Sequence, residues 1–243
     1  MNKITQNSKI LVTGAGLVFL SIDVPILGPI SLGWAAAPIT VVFLVWMANL
    51  YNFMDGVDGL AGGMTVSGCG LLSCFAWQAH HPVLCILAIL QASVATGFLV
   101  HNFPPAKIFM GDLGSVGTGF FVAALVVLGC RDEVFDLWVP LIIFSPFILD
   151  ATVTLVWRVC RCEKIWKPHR KHYYQRLVMS GWSHRRTVLW EYGIMVLCGG
   201  LAILYQFAEE KWRFVILVGW VTLFVFLPLA VRGMEQRMQS VGS

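Results

Sequence analysis

Charged residues are scarce in this chain. Only 12% of its 243 residues are Asp, Glu, Lys or Arg, whereas 58% are hydrophobic, and the mean hydropathy is +0.75. Soluble domains carry about 25% charged residues, so this sequence lacks the charge that a water-exposed surface needs. The composition excludes an ordinary soluble protein and indicates a membrane protein, whose length fits one membrane-embedded domain over residues 1–243.

The sequence also lacks two further signals. Its seven cysteines form no C-x-x-C pair and lie mostly inside apolar runs, which favours a packing role over disulfides or a metal site. No small-x-small cleavage site follows the apolar stretch near the N-terminus, and Asp23 and Pro25 interrupt it. We therefore interpret that stretch as a membrane segment rather than as a signal peptide.

Long apolar runs dominate what is present. A spanning helix needs roughly 20 apolar residues, which predicts an all-α polytopic membrane protein with about eight transmembrane helices. The run at about 9–22 is the shortest, and Gly and Pro between 22 and 33 predict an irregular or re-entrant connection after it. The other seven runs lie at about 33–53, 60–79, 82–100, 114–130, 137–158, 188–207 and 213–231.

The basic residues predict an orientation. Nine of the 17 Lys and Arg residues lie between 158 and 186, and basic connections face the cytoplasm. Alternation of the spans then places five more on that side and leaves only Arg131, Lys211 and Arg213 opposite. It also brings the polar segments 49–58, 101–112 and 167–176 to the cytoplasmic side, as one active site. A transporter, the alternative, would carry charges near the middle of the membrane.

The first polar segment combines two acids, two amides and several glycines. Asn49, Asn52, Asp55 and Asp58 follow one another at steps of three, so that neighbouring members lie on adjacent faces of a helix. Glycines at 56, 59, 62 and 63 predict a helix break with exposed backbone N–H groups, which suits a phosphate or a metal. The alternative is a solvated loop in which an Asp is a helix N-cap.

The second polar segment, residues 101–115, contains Lys107, Phe109 and Asp112. The Asp112 carboxylate suits a hard cation such as Mg²⁺, which takes oxygen ligands and substrate phosphates. Lys107 supplies a positive charge and Phe109 an aromatic face for stacking on a base. Because Asp112 stands just before an apolar run, capping of that helix is the competing interpretation.

The third segment, residues 167–176, is basic and contains His169 and His172. A basic loop is often only a topology signal, and the two histidines have no further zinc ligand nearby in sequence. The surrounding cations favour phosphate contact. The remaining histidines at 80, 81 and 184 are interpreted as interfacial or exposed.

Three strings together resemble a known family. Residues 49–63, residues 105–115 (PAKIFMGDLGS) and residues 169–177 (HRKHYYQRL) are similar to the cytoplasmic motifs of bacterial polyprenyl-phosphate N-acetylhexosamine-1-phosphate transferases of glycosyltransferase family 4, and the third string resembles the O-antigen-initiating branch. The resemblance implies an Mg²⁺-dependent enzyme, with Mn²⁺ as a possible substitute, in the bacterial inner membrane. It would transfer the sugar phosphate from a UDP-N-acetylhexosamine to undecaprenyl phosphate, release UMP and initiate a lipid-linked glycan.

The resemblance also implies roles for individual residues. Asp112 would bind the metal together with Asn52, Asp55 would lie near the reacting phosphates, and Asp58 near the uridine. His169 and His172 would contact the diphosphate and, with Asp55 and Asp58, would be the catalytic residues. The substrate-binding residues would be Asn49, Asn102, Lys107, Phe109 and Arg176. Partners would be the nucleotide sugar, the lipid phosphate and membrane lipid, without nucleic acid; a homodimer is possible, since Gly59 and Gly63 form a small-xxx-small pair.

One family feature is absent. Family members carry about three further spans and an early Asp-Asp motif that helps to engage the lipid phosphate, whereas no Asp-Asp pair occurs in this sequence. We therefore expect an N-terminally truncated transferase. The alternative is a non-catalytic protein that still binds the nucleotide sugar, and the sequence does not identify which N-acetylhexosamine is used.

Overall fold

The fold is helical. The computed structural model describes residues 16–24, 28–160, 177–179 and 181–241, with the backbone alone at 24, 153, 155–160 and 227–241. The α-helices of six residues or more in this part of the chain are α1 (Ala36–Met54), α2 (Leu60–Gln78), α3 (Pro82–Asn102), α4 (Gly111–Arg131), α5 (Trp138–Ile143), α6 (Ser145–Cys160), α7 (His184–Phe207) and α8 (Glu210–Val241).

Five of the described helices are long and apolar enough to cross a membrane: α1 with its preceding turn (Gly33–Met54), α2, α3, α4 and α7. Only a helix or a closed barrel satisfies every backbone N–H and C=O group within hydrocarbon. The chain is an all-α polytopic membrane protein, which confirms the prediction from composition.

The predicted span at 9–22 is wrong over its described half. Residues 16–20 form no helix, and the chain continues as the strand β1 (Ser21–Val24), which pairs antiparallel with β2 (Gly28–Ser31). Gly28 adopts a φ of +77°, a value open to glycine, as the chain enters β2. The described residues of the Gly- and Pro-rich connection, 22–24 and 28–32, are non-helical as predicted, but they include the two paired strands of the β1–β2 hairpin; residues 1–15 and 25–27 lie outside the described part.

The apolar run predicted at 137–158 is divided into α5 and α6 around Phe144. Pro146 has no backbone N–H and therefore cannot donate to the carbonyl of Ile142, four residues earlier. The Ser145 hydroxyl donates to that carbonyl instead, at 2.6 Å. The break is thus a consequence of one proline whose missing hydrogen bond is replaced by a neighbouring side chain.

Helices α1 to α4 are joined by short connections and alternate in direction, so the bundle has two chemically different ends. The hairpin end carries His81, whose Nε2 lies 2.9 Å from Asp132 Oδ2, and the Arg213–Asp136 ion pair, also 2.9 Å. His81 Nδ1 accepts the Leu84 backbone N–H, so this histidine caps α3 and is not merely interfacial. The opposite end, which we call the site end, gathers residues 55–59, 102–112 and the start of α7.

Helices α1 and α4 approach closely because a glycine lies between them. A Cβ atom on Gly119 would come within 2.7 Å of the Met47 carbonyl oxygen and 2.8 Å of the Tyr51 Cβ. Small residues permit such close backbone contact in membrane helices. The separation of α1 and α4, and hence of the polar residues at their site ends, is therefore set by the absence of a side chain at 119.

We expect Gly119→Ala to lower the thermal midpoint of the detergent-solubilised protein by several degrees. The added methyl forces α1 and α4 apart, and overpacking of this kind costs about 1–3 kcal/mol. Gly117→Ala is the matched control, because a Cβ there meets no atom within 4 Å. Equal melting of the two variants would contradict the proposed role of the close contact.

Candidate functional site

The first polar segment forms the turn between α1 and α2. Helix α1 ends at Met54 with Asp55 as its C-cap, and Gly59, at a φ of +80°, is the N-cap of α2. Neither Asp55 nor Asp58 caps a helix N-terminus, so the capping interpretation of these acids is wrong. The left-handed backbone at 59 needs glycine, since other L-residues adopt it only with strain.

Gly59 joins three elements. Its N–H donates to Asn102 Oδ1 at 2.8 Å, and its carbonyl accepts the Tyr192 hydroxyl at 2.7 Å. Asn102 is only 3% exposed and its Nδ2 donates to the Ile108 carbonyl at 2.9 Å. This geometry favours a bracing role for Asn102 over the direct nucleotide contact that the resemblance implied.

Two glycines, Gly59 in the α1–α2 turn and Gly63 in α2, pack against the ring of Tyr192 in α7. A Cβ on Gly63 would lie 2.1 Å from Tyr192 Cε1, and one on Gly59 would lie 3.4 Å from the Tyr192 hydroxyl oxygen. The Gly59/Gly63 pair therefore serves contact between α2 and α7. A homodimer stays a prediction, but this pair is already occupied inside one chain.

Asp58 is held from two directions. Its Oδ2 accepts the backbone N–H of Ala106 at 3.1 Å and lies 3.4 Å from His184 Nδ1. The first contact ties the α1–α2 turn to the α3–α4 loop, and the second ties it to the start of α7. His184 is partly exposed, as predicted, but it is not a lone surface histidine.

Asn52 and Ser115 connect α1 with α4. The Ser115 hydroxyl lies 2.9 Å from Asn52 Oδ1, and it also lies 3.0 Å from the carbonyl of Gly111. Ser115 is fully buried, one helical turn before Gly119, so its short side chain reaches Asn52 across the close helix contact. Asn52 lies three residues before Asp55, and Ser115 lies three residues after Asp112, so this hydrogen bond holds the Asn52 amide at the site end of both helices.

Asp55 and Asp112 meet at the site end. The Gly111 backbone N–H, in a residue with a φ of +65°, hydrogen bonds to the Asp55 carboxylate. Partial burial of Asp55, and secondly the negative charge of Asp112, raise the pKa of Asp55 to about 6. Asp112 itself is exposed in the first turn of α4, whose N-cap is Met110, so Asp112 is not the capping residue.

These donors fit a magnesium ion. Within the described residues, no three His, Cys, Asp or Glu side chains form a metal cage. The two carboxylates and the Asn52 amide nevertheless offer oxygen atoms, and the two acids bring negative charges close enough for one to raise the pKa of the other. Mg²⁺ is usually held by one or two carboxylates together with substrate phosphates rather than by an all-protein cage.

Of the remaining predicted site residues, three are exposed and three lie outside the described part of the chain. Asn49 is exposed, with its Nδ2 bonded to the Val45 carbonyl one turn earlier on α1. Lys107 and Phe109 are exposed on the loop before α4, Phe109 at 76%. The three predicted positions His169, His172 and Arg176 lie outside the described residues.

Sequence reasoning missed three contributors: Ser115, His184 and Tyr192. Ser115 lies in the PAKIFMGDLGS string but was given no role. His184 and Tyr192 are eight residues apart, and Val188 lies midway between them, a spacing that places all three on one helix face. Their partners in the α1–α2 turn are more than 100 residues away, so no local pattern could reveal the contacts.

The sequence of this chain is similar to those of known sugar-phosphate transferases. Residues 5–130, just over half of the chain, match the sequence model of "Glycosyl transferase family 4". The chain is 33% identical over 225 residues to the "Probable undecaprenyl-phosphate N-acetylglucosaminyl 1-phosphate transferase" of Bacillus subtilis, covering 91% of this chain and 60% of that protein.

Two further relatives have different names. Identity is 32% to the "Phospho-N-acetylmuramoyl-pentapeptide-transferase" of Halalkalibacterium halodurans (72% of this chain, 52% of the relative). It is 33% to the "Decaprenyl-phosphate N-acetylglucosaminephosphotransferase" of Mycobacterium tuberculosis (77% of this chain, 52% of the relative). The chain thus spans between half and three fifths of the length of these relatives.

We expect Asp55→Asn to raise the thermal midpoint of the metal-free protein at pH 8. The folded pKa of about 6 lies above the ordinary 3.8, so the folded state is penalised once Asp55 is charged, and asparagine removes that penalty while still accepting the Gly111 N–H. Melting should therefore show a gain of a few degrees above about pH 6 that disappears towards pH 4. A pH-independent difference would contradict this assignment.

We expect Ser115→Ala to weaken the α1–α4 junction by about 1–3 kcal/mol, because the Asn52 amide loses its buried donor. The measurement is the thermal midpoint together with Mg²⁺ affinity of the purified chain. Ser93→Ala is the control, since the exposed Ser93 hydroxyl bonds only to the Ile89 carbonyl of its own helix among the described residues. Identical behaviour of the two variants would count against an orienting role for Ser115.

Proposed function

Since the chain belongs to glycosyl transferase family 4, we propose that it transfers N-acetylhexosamine-1-phosphate from a UDP-sugar to undecaprenyl phosphate with release of UMP. The names of the three relatives support a polyprenyl-phosphate sugar-phosphate transfer. The observation that carries the proposal is the meeting of Asp55 and Asp112 beside Asn52 at the ends of α1 and α4.

Phosphoryl transfer requires in-line positioning and neutralised charge more than covalent chemistry by the protein. We propose that Asp112 and Asn52 hold Mg²⁺, which when bound neutralises charge on the diphosphate. Asp55 would face the reacting phosphates, held in place by the Gly111 N–H. The Gly59 junction would fix Asp58 at the nucleotide side of the site.

The exposed groups on the α3–α4 loop suit the nucleotide. Phe109 presents an uncovered aromatic ring, a surface on which uracil can stack, and Lys107 supplies a cation on the same loop. His169, His172 and Arg176 would complete the diphosphate contacts from the segment that precedes α7. Which N-acetylhexosamine is carried is not part of the proposal.

We propose that the site end faces the cytoplasm of the bacterial cell across its inner membrane. Arg131, Lys211 and Arg213, the three basic residues predicted outside, all lie at or beside helix termini of the hairpin end. Lys107 and the basic segment 158–186 belong to the opposite side in the charge count. This orientation gives the site access to cytoplasmic UDP-sugars and serves the start of envelope glycan synthesis.

A second candidate is nucleotide-sugar binding without turnover. Both candidates use the same metal and nucleotide groups and differ only in product formation.

The test uses membranes containing the full chain, labelled UDP-N-acetylglucosamine and related UDP-sugars, undecaprenyl phosphate and Mg²⁺. We expect UMP and a labelled lipid diphosphate, a loss on the order of 10²-fold or more in Asp112→Asn, and normal turnover in Gly117→Ala. Binding of UDP-sugar without product would favour the second candidate, and absence of both binding and product would overturn the proposed function.

A further inference from the structure

Three side chains on successive turns of α7 contact the α1–α2 turn. His184 Nδ1 lies 3.4 Å from Asp58 Oδ2, and the Tyr192 hydroxyl donates to the Gly59 carbonyl at 2.7 Å. Between them, Val188 packs beside Gly59, with its Cγ2 atom 3.5 Å from the position of a Cβ there. The spacing of four residues places all three side chains on the same face.

We propose that His184 is a positioning residue for Asp58, and that it holds the Asp58 carboxylate in the orientation that receives the nucleotide. The identity of the ligand rests on the proposed function; the positioning of Asp58 does not. Because Oδ2 already accepts the Ala106 N–H and lies close to His184, rotation of the carboxylate is restricted, and Oδ1 is the oxygen that would accept from the ligand.

The local structure indicates that the fold maintains the His184–Asp58 contact, which is therefore not an incidental pairing of surface side chains. Ser183 caps α7 by accepting the Arg186 N–H, which fixes His184 as the first helical residue. The positive end of the helix dipole therefore faces the Asp58 carboxylate. The Asp58 side chain is only 19% exposed, so its interactions are less screened than those of an exposed pair.

The contact is made by one ring nitrogen, which allows an atom-specific test. The amide nitrogen of asparagine occupies nearly the place of histidine Nδ1, whereas that of glutamine corresponds to Nε2. If Nδ1 positions Asp58, asparagine should replace His184 and glutamine should not. A general effect of polarity or charge would not separate these two substitutions, and helix propensity would favour glutamine over asparagine, opposite to this expectation.

The experiment measures UDP affinity with Mg²⁺ and the thermal midpoint for the purified full chain and its variants. We expect His184→Ala and His184→Gln to weaken UDP binding about 10-fold, the loss of one charge-assisted contact. His184→Asn should stay within about threefold of the wild type, since it restores the donor near Asp58. The control is Arg185→Gln, an exposed neighbour on α7, with unchanged affinity.

Unchanged affinity in His184→Ala, or equal losses in the Asn and Gln variants, would overturn the positioning role. Failure of the wild-type chain to bind UDP would instead count against the proposed function. In that case the same claim is decided by thermal midpoints of His184→Ala, Asp58→Asn and the double variant. Non-additive shifts support the pair, and strictly additive shifts exclude it.

Discussion

Hydrocarbon cannot hydrogen bond to a peptide group, and this constraint organises the whole molecule. Backbone groups inside the membrane must pair within helices, so irregular chain and polar side chains collect where helices end. The alternation of α1 to α4 then brings every second connection to the same end. As a result, two acidic segments separated by about 50 residues in sequence face each other without any element dedicated to that purpose.

Glycine turns this coarse arrangement into a precise one. Gly119 lets α4 touch the backbone of α1, and Gly59 and Gly63 let α2 receive the ring of Tyr192. Each of these contacts lies within a few residues of a site side chain. The positions of the site side chains therefore depend on these glycines. A sequence motif does not indicate which glycines make such contacts.

The sequence predicted those parts of the structure that follow from composition and local chemistry. Low charge and apolar run length correctly gave the membrane class and the helices α1 to α4, and the polar residues of 49–58 and 101–112 lie at one end as expected. Long-range contacts could not be predicted in the same way. The ligand-binding role of Asn102 stays a prediction, and its sequence position gives no indication that its amide also hydrogen bonds to Gly59 and Ile108.

The errors in the predicted spans have specific causes. An apolar stretch before Asp23 has the hydropathy of a span, yet its described half forms a strand and an irregular segment, because hydropathy measures burial and not conformation. The hydropathy of the run over α5 and α6 predicts a single helix, because hydropathy does not register the missing backbone N–H of Pro146. Residue type predicted that Asp55, Asp58 and Asp112 lie at the same end of the bundle, while helix packing determined which contacts they make there.

The occupied state of Asn102 has a consequence for inhibitor chemistry. A compound that reaches for this amide must first separate it from Gly59 and Ile108, and so must dismantle the turn that presents Asp58. The loss of these hydrogen bonds would offset part of any affinity gained. Compounds designed against this protein should instead extend over the exposed ring of Phe109, which can be reached without breaking either Asn102 hydrogen bond.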